Sequence, residues 1–322
     1  MSGRLIQISG VIVDHIYRVV AVPKPGTEAQ VLSSRMAAGG GFNAMVAARR
    51  AGMSVAYGGT LGTGPFADIA ARALAEEGIS VLRPVRPGLD QGCCTTLIDA
   101  QGERTFIASE GADGLVSDAD LALIRPKAED WLLLSGYALG YKGSCDALTG
   151  WLSAAKGLRL VLDPSPLVGV IATATLAAGR QAALWISANA AEAHVMTGLS
   201  DPGAAAEALA QDRPATGGAL VRDGARGCHL ALAGQGALHL PGHPVTPVDT
   251  NGAGDAHIGA FIAALSRGEA PEYAARIANV AAALSTTQEG PSTAPMLQTV
   301  LARMAGPQQT AIQRPIQRRT KP

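Results

Sequence analysis

Residues Val248 to His257 read VDTNGAGDAH, and an apolar helical pattern, IGAFIAAL, follows them directly. Small residues in front of a helix leave backbone N–H groups free at the positive end of the helix dipole, where an anion can bind. A carboxylate at Asp255 would repel a phosphate, which favours a base that takes a proton from the attacking group. On these residues alone, Asp255 is equally explained as a helix N-cap.

Outward from this stretch, short apolar runs alternate with helical patterns, which is typical of βαβ units and a parallel sheet. The runs that predict strands lie at 5–13, 54–60, 131–135, 159–163, 184–187 and 219–222. The patterns that predict helices lie at 42–51, 66–77, 145–155, 202–211, 256–266, 271–287 and 294–304. The chain is therefore expected to adopt an α/β fold with a mostly parallel central sheet.

Two β-rich segments, 16–35 and 91–109, interrupt this alternation. The first is punctuated by prolines, and the second reads as a hairpin around Ala100-Gln101-Gly102. They predict a small β-sheet lid over a core made of residues 1–15, 36–90 and 110–305. The basic tail, 306–322, has few apolar residues and is predicted to be disordered.

Composition excludes several classes of protein. The 322 residues are 48% hydrophobic and 16% charged, and 26 Lys and Arg balance 26 Asp and Glu. A net charge of zero gives no overall electrostatic signature of binding to nucleic acid or an anionic membrane, so any such binding would have to be local. The four cysteines lack metal-ligand spacing, and neither a signal peptide nor a membrane span is recognisable. We expect a cytoplasmic protein that binds neither nucleic acid nor membranes.

Three further motifs are individually weak. The glycine run of AGGGFNA (38–44) opens a helix and is typical of a turn as well as of a binding loop. NAAE (189–192) follows an apolar strand and is typical of a capping box. RDGARG (222–227) has the composition of a turn. None of them decides the function by itself.

Taken in order, these motifs resemble the PfkB/ribokinase family of carbohydrate and nucleoside kinases. The resemblance covers residues 3–305. It rests on Asp14-His15, Pro23 to Gly26, the glycine run with Asn43, DAQGERTF (99–106), Asp163-Pro164, Asn189 to Glu192, and DTNGAGD (249–255). The pattern AGD-x-H, with SGYAL at 135–139, is most similar to a branch of uncharacterised sugar kinases near guanosine-kinase-like proteins.

The resemblance implies a ribokinase-like three-layer sandwich with a β lid, ATP and Mg²⁺ as cofactors, and phosphoryl transfer to a hydroxyl group. Residues 249–251 and the loop 287–293 resemble the family's potassium-binding loops, whose carbonyls would hold potassium beside the anion hole. Because exposed faces of small sheets often pair between subunits, a homodimer through the lid is also expected. The implied catalytic residues are Asp255 as base and Gly252, Ala253 and Gly254 as the anion hole. The implied substrate residues are Asp14, Gly40, Gly41 and Asn43. The implied nucleotide residues are Asn189, Glu192, Arg222, Gly224, Gly227 and Asn279. Glu192 is implied to hold Mg²⁺ through water, and Asp249 and Asn251 to hold the monovalent cation.

Departures from the family pattern bear on the substrate. Gly40 stands where ribokinases carry Lys, so a neutral sugar is favoured over a sugar phosphate. A nucleoside such as guanosine or inosine is the alternative, and Phe42 would then either stack on the base or pack in the helix start. His257 replaces a frequent Phe and either faces the pocket or lies in the core.

Two functions from other classes stay open. Gly62 to Ala67 match the GxGxxA fingerprint after a strand, and Arg83 and Arg86 lie where a dinucleotide site would select NADP, which predicts an oxidoreductase. A non-catalytic sugar sensor would also keep the substrate motifs, although binding alone gains nothing from Asp255 beside a phosphate. A P-loop kinase is disfavoured because GxxxxGK[ST] is absent from the sequence.

Overall fold

A computed structural model describes residues 3–306, so the predicted disordered tail lies outside it from residue 307 onward. The strands of the described residues are β1 Leu5–Gln7, β2 Val11–Val19, β3 Val31–Gly40, β4 Val55–Tyr57, β5 Ser80–Val81, β6 Cys93–Ile98, β7 Arg104–Ser109, β8 Trp131–Ser135, β9 Arg159–Asp163, β10 Trp185–Asn189, β11 Gly218–Arg222, β12 Gly227–Leu232 and β13 Leu238–Pro241. The helices are α1 Gly41–Arg50, α2 Pro65–Glu76, α3 Asp118–Ala122, α4 Gly136–Gly140, α5 Cys145–Ala154, α6 Thr173–Ala182, α7 Ala190–Thr197, α8 Pro202–Ala210, α9 Ala253–Ser266, α10 Pro271–Ser285 and α11 Leu297–Ala305.

The large sheet has the strand order β13-β12-β11-β10-β9-β8-β1-β4-β5. Its strands pair in parallel from β11 to β5, while β12 and β13 continue it antiparallel at one edge. Parallel strands bring their carboxyl ends to one side of the sheet, where α/β folds bind ligands. Asp163, Asn189 and Arg222 are the last residues of β9, β10 and β11, so all three lie on that side.

Helices cover both faces of the large sheet, as the predicted three-layer fold requires. One buried cluster includes Met45 of α1, Trp185 of β10 and Phe261 of α9, and the other includes Leu134 of β8 and Leu209 of α8. Helices α1 and α9 cross so closely that a Cβ on Gly259 would lie 2.3 Å from the Ala44 carbonyl oxygen. This contact fixes α9, and the site at its start, against the core.

The small sheet has the order β3-β2-β6-β7, with β2 and β6 parallel and the two outer pairs antiparallel. The predicted hairpin is present, and the Asp99 carboxylate accepts hydrogen bonds from the Gln101 and Glu103 N–H groups in its turn. Strands β2 and β3 carry this sheet from Val11 to Gly40, farther than the lid segment 16–35. The boundary between lid and core stays a prediction.

The single strand predicted at 5–13 is wrong. The run breaks at Ser9-Gly10 into β1, in the large sheet, and β2, in the small sheet. The Gly10 carbonyl accepts a hydrogen bond from the Gly41 N–H, which draws the glycine run to this break. Helix α11 begins at Leu297 rather than at 294, and α6 was not anticipated. No helix in residues 3–306 is long and apolar enough to cross a membrane.

Candidate active site

Helix α9 begins without a side-chain capping hydrogen bond. Its N-cap is Gly252, which adopts the left-handed conformation with φ 73°, and no side-chain group caps the helix. The Ala253 N–H donates to the Thr250 carbonyl at 3.3 Å. The N–H groups that follow it in the first turn have no partner within the helix, so they face the space in front of it. Asp255 lies in the same turn. The arrangement can bind an anion beside a carboxylate.

Asp255 is held by a residue from the glycine run. Asn43 Nδ2 donates a hydrogen bond to Asp255 Oδ2 at 3.1 Å, and Asn43 Oδ1 accepts one from the Ser292 hydroxyl at 2.8 Å. Burial and the nearby Asp163 carboxylate raise the pKa of Asp255 to about 7, although Asn43 and Arg222 act in the opposite direction. A carboxylate with a pKa near neutrality is suited to accept a proton.

Asp14 and the glycine run form one side of the site. A Cβ on Gly39 would lie 2.3 Å from Asp14 Oδ2, and one on Gly41 would lie 3.0 Å from the Gly10 carbonyl oxygen. Gly40, the N-cap of α1, has a φ of 61°. Burial raises the pKa of Asp14 to about 6, although the Asn251 side chain and Arg35 lower it. The structure therefore places Asp14, Asn43 and Asp255 near one another, although they come from three distant parts of the chain.

Arg222 lies among acidic side chains at the carboxyl ends of β9 to β11. Its Nη2 lies 3.7 Å from Asp163 Oδ2 and 3.5 Å from Glu192 Oε2, and its Nη1 donates to the Ser187 hydroxyl at 2.8 Å. Burial and Asp163 raise the pKa of Glu192, while Arg222 opposes them. A Cβ on Gly254 would lie 3.7 Å from Arg222 Cζ, which brings this cluster up to the start of α9.

Asn189 and Glu192 form the capping box that their spacing also allowed. Asn189 Oδ1 accepts from the Glu192 N–H at 2.8 Å, and Glu192 Oε2 accepts from the Asn189 N–H at 2.7 Å. Asn189 nevertheless lines a cavity of about 430 Å³ beside α9. Other residues of the predicted nucleotide set that line it are Arg222, Gly224, Gly227 and Asn279. The capping and binding interpretations are therefore compatible.

His257 lies in this cavity wall rather than in the apolar core alone. Asn279 Nδ2 donates to the carbonyls of Leu240 and Pro241, so Asn279 Oδ1 must accept from His257 Nε2, 3.0 Å away. His257 Nδ1 is then an acceptor, and it has no partner among the described residues. Burial and Arg222 lower the pKa of His257 to about 3, so the ring is neutral.

Asp249 and Asn251 lie in the loop before α9. Asp249 Oδ1 accepts from the Asn251 N–H at 2.9 Å and from Arg104 Nη2 at 2.7 Å, while Asp249 Oδ2 accepts from the Gly290 N–H at 3.0 Å. Arg104 belongs to the small sheet and did not appear among the candidate residues. The motif that contains it, DAQGERTF, contributes to the family resemblance, but the sequence assigns Arg104 no role of its own.

Asp163 and Tyr137 also lie at the site. Asp163-Pro164 is compatible with a turn start and with a cleft-lining carboxylate, and the charge of Asp163 reaches Asp255, Glu192 and Arg222. Tyr137, at the start of α4, is 44% exposed, and burial followed by the charges of Asp163 and Asp255 raises its pKa. Both residues lie at or just after the carboxyl end of a predicted strand, and this position is the sequence feature that could have placed them at the site. Phe42 is 5% exposed and packs in the core, so it is not the aromatic side chain that faces the site.

The dinucleotide interpretation fails at the start of α2. The Asp90 carboxylate accepts hydrogen bonds from the Phe66 and Ala67 N–H groups at 3.2 and 2.8 Å. These are the N–H groups that a pyrophosphate would need. Arg83 is buried and pairs with Asp120. The GxGxxA match is therefore a capped helix start.

The acidic cluster suits magnesium held chiefly by phosphate and water. Within residues 3–306, no group of three or more His, Cys, Asp or Glu side chains is arranged to hold a metal ion directly. The side chains of Asp163 and Glu192 offer oxygen ligands, which Mg²⁺ prefers, and Mg²⁺ usually keeps several waters. The donor set fits an ion that is bridged to the protein through water.

Comparison with known proteins identifies the family. The model of the pfkB family carbohydrate kinases matches residues 6–299. The sugar kinase YegV of Escherichia coli K12, itself uncharacterised, is 28% identical over 306 residues, or 91% of this chain and 92% of that protein. The structure of Arabidopsis thaliana ribokinase with ribose and ATP has a TM-score of 0.78 at 22% identity and covers 95% of this chain and 100% of that one. Burkholderia thailandensis nucleoside kinase with inosine has a TM-score of 0.76 at 21% identity, over 93% and 95%.

Proposed function

The chain belongs to the pfkB family of carbohydrate kinases, and on that premise we propose that it transfers the γ-phosphoryl group of ATP to a hydroxyl group of a small neutral sugar. The observation that carries this proposal is Asp255, hydrogen-bonded to Asn43 in the uncapped first turn of α9. The glycine run lies on one side of it, and the 430 Å³ cavity on the other.

Asp255 is the proposed base. It accepts the proton of the acceptor hydroxyl, while the N–H groups of the Gly252-Ala253-Gly254 turn stabilise the charge that develops on the phosphoryl group. Asp14 and Asn43 hold the remaining hydroxyls, because a carboxylate accepts and an amide both donates and accepts hydrogen bonds. Gly41 has no side chain and therefore lets the substrate approach the backbone.

The nucleotide is proposed to occupy the cavity beside α9, against Asn189, Arg222, Gly224, Gly227 and Asn279. Arg222 can contact phosphate oxygens, since its guanidinium lies between Gly254 and the carboxylates of Asp163 and Glu192. Glu192 would hold Mg²⁺ through water, and bound Mg²⁺ would shield the phosphate charge from these carboxylates.

The negative charge around the proposed sugar-binding side of the site favours a neutral substrate. The charge of Asp14 is close enough to raise the pKa of Asp255, and position 40 is Gly rather than Lys. A phosphorylated sugar placed here would be repelled by both carboxylates. A neutral polyol gains hydrogen bonds from them at no such cost.

Tyr137 is the observation that favours a nucleoside as the alternative acceptor. Its ring is partly exposed near Asp163 and Asp255, and a purine could stack on it. We rank the sugar first, because Phe42 is buried and a single aromatic ring cannot enclose a base from both faces.

The small sheet is proposed to act as a lid that excludes water from the phosphoryl group, and to pair with a second copy through its outer face. Met36, His15, Thr95 and Ile107 form one registered row across that face. Met36 is 49% exposed and Ile107 60% exposed, so this row offers apolar side chains to a second copy. Size-exclusion chromatography with light scattering of the native protein and of Ile107→Lys tests this. A native mass of one chain would contradict the dimer, and a dimeric mass that Ile107→Lys leaves unchanged would contradict pairing through this face.

An ATP-consumption screen tests the reaction. The purified protein is assayed with pentoses, hexoses, ketoses and nucleosides, with Asp255→Asn as the inactive control. We expect a free sugar to give the highest kcat/KM. A nucleoside whose kcat/KM is at least about a hundredfold higher than that of every sugar would reverse the ranking. Activity on phosphorylated sugars alone would refute the neutral-pocket argument.

A further inference from the structure

Three arginines of the small sheet reach across to the loop before α9 and to the loop after α10. Arg18, Arg35 and Arg104 lie on β2, β3 and β7, in registered rows whose side chains share the face toward the core. Arg18 Nη2 pairs with Glu289 Oε1 at 2.9 Å, and both of these side chains are about half exposed. The other two arginines converge on Asp249.

Asp249 is attached to both outer strands of the small sheet. Arg104 Nη2, from β7, lies 2.7 Å from Asp249 Oδ1, and Arg35 Nη2, from β3, lies 3.8 Å from Asp249 Oδ2. The Asp249 side chain is only 9% exposed. Burial alone would raise its pKa, but the N–H groups of Asn251 and Gly290 and the Arg104 guanidinium hold that pKa below its usual range.

The Asp249 carboxylate also orders the backbone that leads into the anion hole. Its Oδ1 accepts from the Asn251 N–H, one residue before Gly252. The Val248 and Asp249 N–H groups donate to the Thr286 carbonyl, which ties the same loop to the end of α10. A shift of this carboxylate would therefore move the turn that presents Gly252 to Gly254.

These contacts do not fit a monovalent cation held by the Asp249 carboxylate. The two oxygens of Asp249 already accept three hydrogen bonds, and a second guanidinium lies beside them. A potassium ion on this carboxylate would have to lie against Arg104, and like charges at such distances repel. The positive charge at this position comes from the protein itself.

We propose that Arg104, assisted by Arg35, latches the small sheet onto Asp249 and supplies the positive charge that a monovalent cation would otherwise supply there. The enzyme then needs no potassium, and closure of the small sheet sets the anion hole. Arg104 and Arg35 are positioning residues, because they act through Asp249. This inference rests on the proposed kinase function.

The first test compares cations. The wild-type phosphoryl-transfer rate is measured in potassium chloride and in tetramethylammonium chloride at equal ionic strength. We expect rates equal within about twofold. A rate at least about tenfold higher in potassium would overturn the inference while leaving the kinase function intact.

The second test removes the latch. Arg104→Ala should lower kcat/KM about tenfold or more in tetramethylammonium and recover part of it when potassium or guanidinium ions are added. Arg104→Lys should keep most of the rate, since it keeps the charge. Arg18→Ala is the matched control, because it removes another arginine bridge from the same sheet without touching Asp249. Arg104→Ala that behaves like Arg18→Ala in every salt would contradict the proposal.

A binding measurement keeps the inference separate from the reaction. Thermal unfolding of the apo proteins is followed in the same two salts, because an ion that binds the folded state raises Tm. We expect potassium to raise the Tm of Arg104→Ala but not that of the wild type or of Arg18→Ala. A Tm increase in wild-type protein would show a cation site that the latch does not fill. This result stands whether or not an acceptor has been found.

Discussion

Helices α7 and α9 both begin at the candidate site, yet their first turns differ. The start of α7 is closed by its own side chains, since Asn189 and Glu192 satisfy each other's N–H groups. The start of α9 carries Gly252, with no side-chain cap. A helix start that is capped contributes stability, whereas one that is left open can bind an anion. The site therefore combines a capped helix start, which contributes stability, with an uncapped helix start, which can bind an anion.

The largest effect is expected at the open turn. Asp255→Asn should lower kcat by 10²–10⁴-fold, the usual cost of losing a general base, while nucleotide binding is retained. Because the raised pKa of Asp255 makes its ionised form unfavourable in the folded state, the variant should also have a higher Tm at pH 8.

Steady-state kinetics, nucleotide titration and thermal unfolding together check this prediction. Wild-type turnover in Asp255→Asn would exclude Asp255 as the base.

Glycine at the N-cap can be tested against a matched glycine. Gly252 has a φ of 73°, and an added Cβ would lie 3.3 Å from Asn43 Nδ2. Gly252→Ala should cost about 1 kcal/mol of stability and lower kcat about tenfold, because the turn and Asn43 must both shift.

Gly198→Ala is the control. Gly198 ends α7 with a φ of 74° and has nothing within 4 Å of its added Cβ. It should lose similar stability in urea unfolding and keep its rate. Equal rates for the two variants would mean that the turn tolerates a side chain.

The capped start is tested by Asn189→Ala. Loss of the cap should lower the free energy of unfolding by about 1 kcal/mol and raise the KM for ATP several-fold, since Asn189 also lines the cavity. Asp201→Ala removes the equivalent cap of α8, where Asp201 accepts from the Ala204 N–H at 2.7 Å. It should lose as much stability with no change in KM. An unchanged KM in Asn189→Ala as well would limit Asn189 to a structural role.

The smallest effect is a shift of pH dependence. The kcat/KM of the wild type should fall below about pH 7, as Asp255 becomes protonated. Asp163→Asn removes a negative charge that raises this pKa, so the falling limb should move to lower pH by up to about one unit. A pH–rate profile measures it, and a limb that stays in place would mean that Asp163 does not act on the base.

Much of the fold was predictable from the chain alone. The hydrophobic periods of β8, β9, α5, α8 and α9 depend on local spacing, and the structure has these elements within a few residues of the prediction. The strand predicted at 5–13 failed, because an apolar run does not show which sheet each half joins. The sequence left Phe42 open between stacking on a base and packing in the helix start, because its position beside a glycine run does not show which way the side chain packs. The structure buries it in the core.

The sequence by itself determined the family, the α/β class, the small second sheet and the candidate base, because each depends on the order and spacing of residue types. Only the tertiary structure decided which charges meet. Arg104 and Asp249 are 145 residues apart, and Asn43 and Asp255 are 212 apart. No pattern in the chain specifies such pairs, since their distance follows from how two sheets and α9 pack. The pKa of Asp255 and the contacts of Asp249 are therefore properties of the fold.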